Sequence, residues 1–377
     1  MTIPFYDHTV LYRELKPELD AAVARALEGG RLDWGPELPA FEAEFARWLG
    51  VAHAVGTNSG TAALKVALLA LGIGRGDEVI TVPNSDIGST AAIHHAGATA
   101  VWVDVEPDTG NIDPIQADAA VTPRTAAILP VDLYGHPADL PALRAVAGRH
   151  GLAIVEDACL ALGAAIGDRR VGQWADVTCF SFAPSKHLGG YGSGGAAVTA
   201  DAALARRMER FAGYGQDRAR HYREGLAAPP LEHRCEGLNE RLDELQAAML
   251  RVKLPHLRGI VDGYVERAAA YSEALAGTPV RPPAVRPDNV HTFRNYVVHL
   301  EERDAVRRRL AHDGIATGLH YAPPLHRQPV YRETAAAKRP FPVADRLGTT
   351  LLSLPIGAHL GDDDCRQVAH ALAAAAS

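Results

Sequence analysis

Between residues 50 and 200, short apolar and often β-branched runs alternate with helical stretches, and this alternation restricts the possible folds more than any other feature. His53–Thr57, Glu78–Val82, Ala100–Val105, Thr125–Val131, Ala153–Glu156 and Val177–Phe182 have the length and composition of strands. Thr61–Leu71, Ser89–Ala96 and Leu140–His150 lie between them with helical character. Strands that are apolar throughout are covered on both faces, so the pattern predicts an α/β fold with a mainly parallel central sheet flanked by helices. Ligands in such sheets sit where loops leave the C-terminal ends of the strands.

Further along, Leu238–Leu257 and Gly263–Ala276 read as helical, until Pro279, Pro282, Pro283 and Pro287 break the pattern. A strand-like Tyr296–Leu300 and helices near Asp304–His312 and Asp363–Ala375 follow. A chain of 377 residues is long enough for two domains. The expected division is a large unit over residues 1–255 and a smaller C-terminal α/β unit over 256–377.

Charge and composition remove several functions. A net charge of −7 and a pI near 6.2 leave no basic excess to neutralise phosphates, which argues against a nucleic-acid partner. Cys159, Cys179, Cys235 and Cys365 are scattered without a Cys-x-x-Cys pair, so they read as reduced thiols of a cytoplasmic protein and not as a zinc site. The first residues show no signal peptide, and no apolar run approaches the roughly 18–20 residues of a membrane helix. Five lysines stand against 33 arginines. Coding bias explains the imbalance, yet chemistry that needs an amine has five candidates: Lys16, Lys65, Lys186, Lys253 and Lys338.

The strand ends carry the chemistry. After His53–Thr57, the turn Asn58-Ser59-Gly60-Thr61 opens a helix whose unpaired N–H groups suit a phosphate, although Ser59 or Thr61 also suits a plain helix cap. Asp157 follows the strand Ala153–Glu156, and no His, Asp or Glu cluster at metal-ligand spacing surrounds it. Lys186 lies in the small-residue loop after Val177–Phe182, whereas Lys16, Lys65 and Lys253 fall in helical patterns and Lys338 in a polar loop. A phosphate cradle, a carboxylate and an amine along one sheet edge are the three groups that pyridoxal phosphate (PLP) requires. The run Gly190-Tyr191-Gly192-Ser193-Gly194 precedes a strand instead of opening a helix after one, which excludes a dinucleotide fingerprint.

The ordered motifs resemble the DegT-type, PLP-dependent sugar aminotransferases of fold type I over nearly the whole chain. They are Gly35-Pro36-Glu37 with Phe41-Glu42, Ser59-Gly60-Thr61-Ala62-Ala63-Leu64, Gly76-Asp77-Glu78-Val79-Ile80, Glu156-Asp157-Ala158 and Ser181-Phe182 with Lys186. Leu238–Ala248, His320-Tyr321-Ala322-Pro323-Pro324-Leu325-His326 and Leu354-Pro355 complete the series. The resemblance implies that Lys186 bonds the cofactor and that Asp157 keeps its ring nitrogen protonated. Gly60, Thr61 and Ser181 would hold the phosphate. Asn239 would reach that phosphate from a neighbouring subunit, making the active unit a homodimer with shared sites; a helix cap before Arg241–Lys253 is its simpler reading. His320, Tyr321 and His326 would border a sugar pocket, and incidental histidines in a proline-rich loop are the alternative.

The implied reaction is amination of a keto sugar, nucleotide-linked or a keto sugar or cyclitol of an antibiotic-type pathway, with glutamate or glutamine as donor. A dehydratase of the same family and a non-enzymatic PLP- or sugar-binding regulator are the alternatives; Lys186 counts against the first, and the Asp157/Lys186 pair against the second. Three positions depart from the family pattern. Ile87 stands where an aromatic ring usually covers the cofactor, which removes a stacking contribution of roughly 0.5–1.5 kcal/mol. Leu160 and Leu162 replace the common Gln and His, making the cofactor's surroundings more apolar, and Ser193 replaces a Glu.

Overall fold

The structure, a computed structural model, describes residues 2–217 and 232–376. Helices α1 (Thr9–Glu14), α2 (Lys16–Glu28) and α3 (Glu37–Leu49) precede an alternating series. The series runs β1 (His53–Thr57), α4 (Gly60–Ala70), β2 (Glu78–Thr81), α5 (Ile87–His95), β3 (Thr99–Trp102), α6 (Pro114–Ala119), β4 (Thr125–Ile128), α7 (Leu140–His150) and β5 (Ala153–Asp157). Short strands β6 (Ala165–Ile166) and β7 (Arg169–Arg170) lead to β8 (Val177–Ser181), β9 (Gly195–Thr199) and α8 (Ala202–Ala212). Beyond residue 231 come α9 (Glu244–Lys253), α10 (Leu257–Ala274), β10 (Asn289–Val290), β11 (Tyr296–His299), α11 (Arg303–His312), α12 (Pro342–Thr350), β12 (Leu351–Leu354) and α13 (Asp362–Ala376).

The main sheet has seven strands in the order β1-β9-β8-β5-β4-β2-β3. From β8 to β3 every pairing is parallel, while β9 runs antiparallel to both β1 and β8. Burial follows the apolar pattern: each residue of β2, β9 and β12 is buried. Helix α4 is apolar on most of its surface because it packs against β8, β9, α5 and α8 at once. Local chemistry fixes the helix starts. Asp139 accepts a hydrogen bond from Ala142 N at 3.0 Å to cap α7, and Gly151 in the left-handed region ends it.

A second core gathers Tyr264, Tyr271, Tyr296, Val298, Leu310, Leu352, Leu354, Val368 and Leu372 around the two-stranded β11–β12 sheet. Ile3 joins this core and bridges Ile315, so the start of the chain packs with its C-terminal part. The architecture is thus a large α/β unit with a mainly parallel sheet and a smaller C-terminal unit.

Two sequence expectations differ from the structure. The helix expected over Leu238–Leu257 begins only at Glu244, because the backbone before it serves β1. Asn58 N donates to Glu240 O at 2.9 Å, Leu242 N donates to Gly56 O at 3.3 Å, and Arg241 bridges Thr57. This extended segment covers the free side of edge strand β1, a use that helical periodicity does not reveal. Asn239 is therefore no helix cap; Asp243 stands at that position. Lys253, in α9 as its helical pattern predicts, is only 4% exposed, and its amine donates to the Gly189 carbonyl.

Candidate active site

The C-terminal ends of β1, β5 and β8 form one edge with the start of β9. Ser59 leaves β1 in an extended conformation and accepts a hydrogen bond from Ala62 N at 3.0 Å, which starts α4. The N–H groups of Gly60 and Thr61 in that first turn have no partner inside the helix. A Cβ on Gly60 would lie 2.6 Å from Cys159 Sγ and 2.9 Å from Ser181 Cβ. On Gly195 it would lie 2.4 Å from the Ser59 carbonyl carbon. The two glycines therefore let the helix end press against β5, β8 and β9, and the result is a cup lined with donors at the place the sequence assigned to a phosphate.

Asp157 ends β5 and is 5% exposed. Its Oδ2 accepts from Ser89 Oγ at 2.7 Å and its Oδ1 from Cys159 N at 3.2 Å. Burial pushes this carboxyl up, against the pull of hydrogen bonds from Cys159 and Ser89 and of the Lys186 charge. A cationic partner offsets that burial cost and restores the carboxylate. Beneath it, Asp132 donates its backbone N–H to the Asp157 carbonyl at 3.0 Å, and burial beside Glu156 drives the Asp132 carboxyl well up.

Lys186 lies in the 182–194 segment between β8 and β9, where its backbone N–H donates to Ala183 O at 2.9 Å. Burial lowers its amine to about 8, and the positive charge of Arg294 adds to the effect. Lys186 lines a cavity of about 240 Å³ with Tyr6, His187, Tyr191, Lys253 and Tyr264. An amine near neutrality can act as a base or a nucleophile, which an ordinary exposed lysine does only weakly at neutral pH. Donor cup, buried carboxyl and depressed amine fit the phosphate, ring nitrogen and aldehyde of PLP.

The remaining expected residues divide between this site and the body of the protein. Thr61 stands against α5, where a Cβ on Gly88 would meet its Oγ1 at 2.8 Å. Ile87, the first residue of α5, is 46% exposed, in keeping with a side chain free to cover a ligand. Ser181 ends β8 beside Gly60, while Leu160 is buried in the large core. Asn239 is exposed next to the α4 turn, and its carbonyl accepts from Asn58 Nδ2 at 3.4 Å. His320 bonds Ser353 Oγ at 2.9 Å through Nδ1 and stacks on Phe5, and burial lowers its ring to about 4. Burial drives the neighbouring Tyr321 hydroxyl well up, within reach of the Asp86, Arg294 and Asp157 charges. His326 is buried against Phe341 with Nε2 2.8 Å from Asp345 Oδ1.

Sequence reasoning missed Ser89, which supports Asp157 from α5, and Arg294, which acts on Lys186 from the segment before β11. Serine in a helix gives no distinguishing signal, and one arginine among 33 gives none either. Among the described residues no group of three His, Cys, Asp or Glu is arranged to hold a metal, and no helix is long and apolar enough to cross a membrane.

Known proteins match over the same span. The dTDP-3-amino-3,4,6-trideoxy-alpha-D-glucose transaminase of Streptomyces venezuelae is 45% identical over 359 residues, 95% of this chain and 92% of that protein. The erythromycin biosynthesis sensory transduction protein EryC1 of Saccharopolyspora erythraea is 43% identical over 377 residues, the full length of both. The crystal structure of S. venezuelae DesV in complex with a ketimine intermediate superposes with a TM-score of 0.94 at 44% identity, covering 100% of this chain and 99% of that one. Residues 13–373 match the model of the DegT/DnrJ/EryC1/StrS aminotransferase family, and the chain belongs to this family of PLP-dependent, fold type I proteins.

Proposed function

We propose that the chain is a PLP-dependent aminotransferase that converts a keto sugar to an amino sugar with glutamate or glutamine as donor. One observation carries the reading: the depressed amine of Lys186 and the buried carboxyl of Asp157 share a sheet edge with the open end of α4. The 45% identity to a transaminase acting at a dTDP-sugar supports a nucleotide-linked substrate over a free keto sugar or cyclitol.

When bound, PLP supplies an electron-withdrawing ring that stabilises negative charge at the donor's α-carbon and carries nitrogen between the two substrates. The chain's own residues do the rest. The N–H groups of Gly60 and Thr61 and the Ser181 hydroxyl would hold the phosphate, and Asn239 of a second copy would complete its shell. Asp157, fixed by Ser89 and Cys159, would hold the proton on the ring nitrogen. Lys186 Nζ would take the proton from the donor α-carbon and, in the second half-reaction, deliver one to the sugar carbon that receives the nitrogen. Ile87 and Leu160 keep water from the ring. His320 and Tyr321 border the sugar, and His326 holds their loop through Asp345.

Replacing Lys186 by Ala tests the reading. Amino-donor-dependent product, followed as a nitrogen-containing mass gain in the sugar, should fall by about 10³-fold or more. Unchanged conversion would overturn it. Loss of water from the sugar without gain of nitrogen would point instead to the dehydratase chemistry, which Lys186 disfavours.

A further inference from the structure

The hydrogen bond from Ser89 to Asp157 is one link of a longer chain. Asp157 Oδ2 accepts from Ser89 Oγ at 2.7 Å, and Ser89 Oγ lies 2.9 Å from Ser85 Oγ. Both serines are sealed, Ser85 3% and Ser89 1% exposed. Ser85 precedes Asp86, which caps α5 by accepting from Gly88 N at 2.9 Å, and Ser89 stands in the first turn of that helix. The order of donors follows from valence. A hydroxyl carries one hydrogen, and Ser89 gives it to Asp157, whose ionised carboxyl can only accept. The hydrogen between the two serines is therefore that of Ser85. Among the described residues the Ser85 hydroxyl has no other partner, and its burial leaves it no path to solvent. The chain ends there, so it passes no proton onward; it aims two hydroxyl dipoles at the carboxylate.

We propose that Ser85 and Ser89 form a dead-end hydroxyl relay that keeps Asp157 ionised opposite the ring nitrogen of PLP, with Ser85 a positioning residue that acts only through Ser89. The assignment rests on the reading of Asp157 as the partner of that nitrogen. Burial favours the neutral carboxyl, and a neutral Asp157 offers no negative charge to hold a proton on the ring. Hydrogen bonds to the charged form oppose this, and aligned hydroxyls in a sealed site strengthen one another. The other oxygen, Oδ1, accepts the Cys159 N–H at 3.2 Å, so the carboxylate is held from the end of β5 and from α5 at once. The helix itself does not need the serines, because Asp86 supplies its cap. Two buried hydroxyls at positions 85 and 89 are explained by the carboxylate they face.

The test compares Ser85→Ala, Ser89→Ala and the double variant with the wild-type chain. PLP is titrated into each protein, and nitrogen NMR of PLP isotopically labelled at the ring nitrogen reports where the proton sits in the loaded protein. Ser89→Ala should weaken PLP binding about tenfold or more, the effect of removing a hydrogen bond from a buried charged group. Ser85→Ala should weaken it about threefold, through the loss of polarisation along the chain. The double variant should lose no more than Ser89→Ala alone, because Ser85 reaches the carboxylate only through Ser89. The ring-nitrogen signal should move from its protonated towards its unprotonated position, further in Ser89→Ala than in Ser85→Ala. A merely structural role for the serines leaves that signal in place. Losses that add in the double variant, or a ring-nitrogen signal unmoved in Ser89→Ala, would each overturn the relay. A wild-type chain that binds no PLP, or binds it with an unprotonated ring nitrogen, would instead sink the reading of Asp157, and the relay with it.

Discussion

Burial acts in opposite directions on the two central groups, raising the Asp157 carboxyl and lowering the Lys186 amine. Each is pushed towards its neutral form until a ligand supplies the missing charge. The same physics governs several histidines. His136 donates through Nδ1 to the Pro137 carbonyl at 2.8 Å and accepts from Arg286 N at 3.1 Å through Nε2, so the fold requires its neutral ring. Burial lowers it to about 4 from an ordinary 6.5, and His299 and His320 are also lowered to about 4. Between these values the unfolded chain binds more protons than the folded one. The stability these three neutral rings contribute is therefore complete above pH 6.5 and is lost as the pH falls towards 4. Urea unfolding at pH 7 and pH 5 should show the loss, and His136→Asn should reduce it by on the order of 1–2 kcal/mol. At this scale the sequence narrows the candidates where a residue type is rare: of five lysines, Lys186 is the one in the loop that leaves β8. It was opaque where identity said nothing of burial, as at Arg294 and Lys253.

Among the elements, the start of α4 combines local sequence with tertiary fit. The Ser59 cap and the glycine after it were readable in one dimension. The reason for Gly195 was not, because the backbone it touches lies far away in sequence. Gly195→Ala places a methyl group 2.4–2.7 Å from Ser59 and Gly60 backbone atoms, so α4 and β9 must separate. We expect a destabilisation of about 1–3 kcal/mol in denaturant titrations, with weaker PLP binding as the cup opens. The strand and helix positions of the alternating region follow from apolar periodicity, which tertiary packing reinforces there. Periodicity misled at residues 238–243, where good helix formers are held extended because the edge of β1 needs partners.

Across the whole molecule, the proposed site draws on both units: the large sheet would supply the phosphate cup, Asp157 and Lys186, and the C-terminal unit His320 and Tyr321. Asn239 lies exposed beside the α4 turn, and the proposed mechanism has it serve a neighbouring copy. Sedimentation should therefore give a particle near twice 40.1 kDa, and a stable monomer would contradict the shared site. The reversed direction of β9 has a mechanical consequence. Because Gly195 opposes both Thr57 and Ser181, the 182–194 segment leaves β8 and enters β9 at the same rim. A parallel successor would have forced the chain back along the sheet through a long crossover. Instead, the reactive amine is moored fore and aft to neighbouring strands. Sequence changes in the middle of that loop would leave both of its anchors, at Ser181 and Gly195, in place.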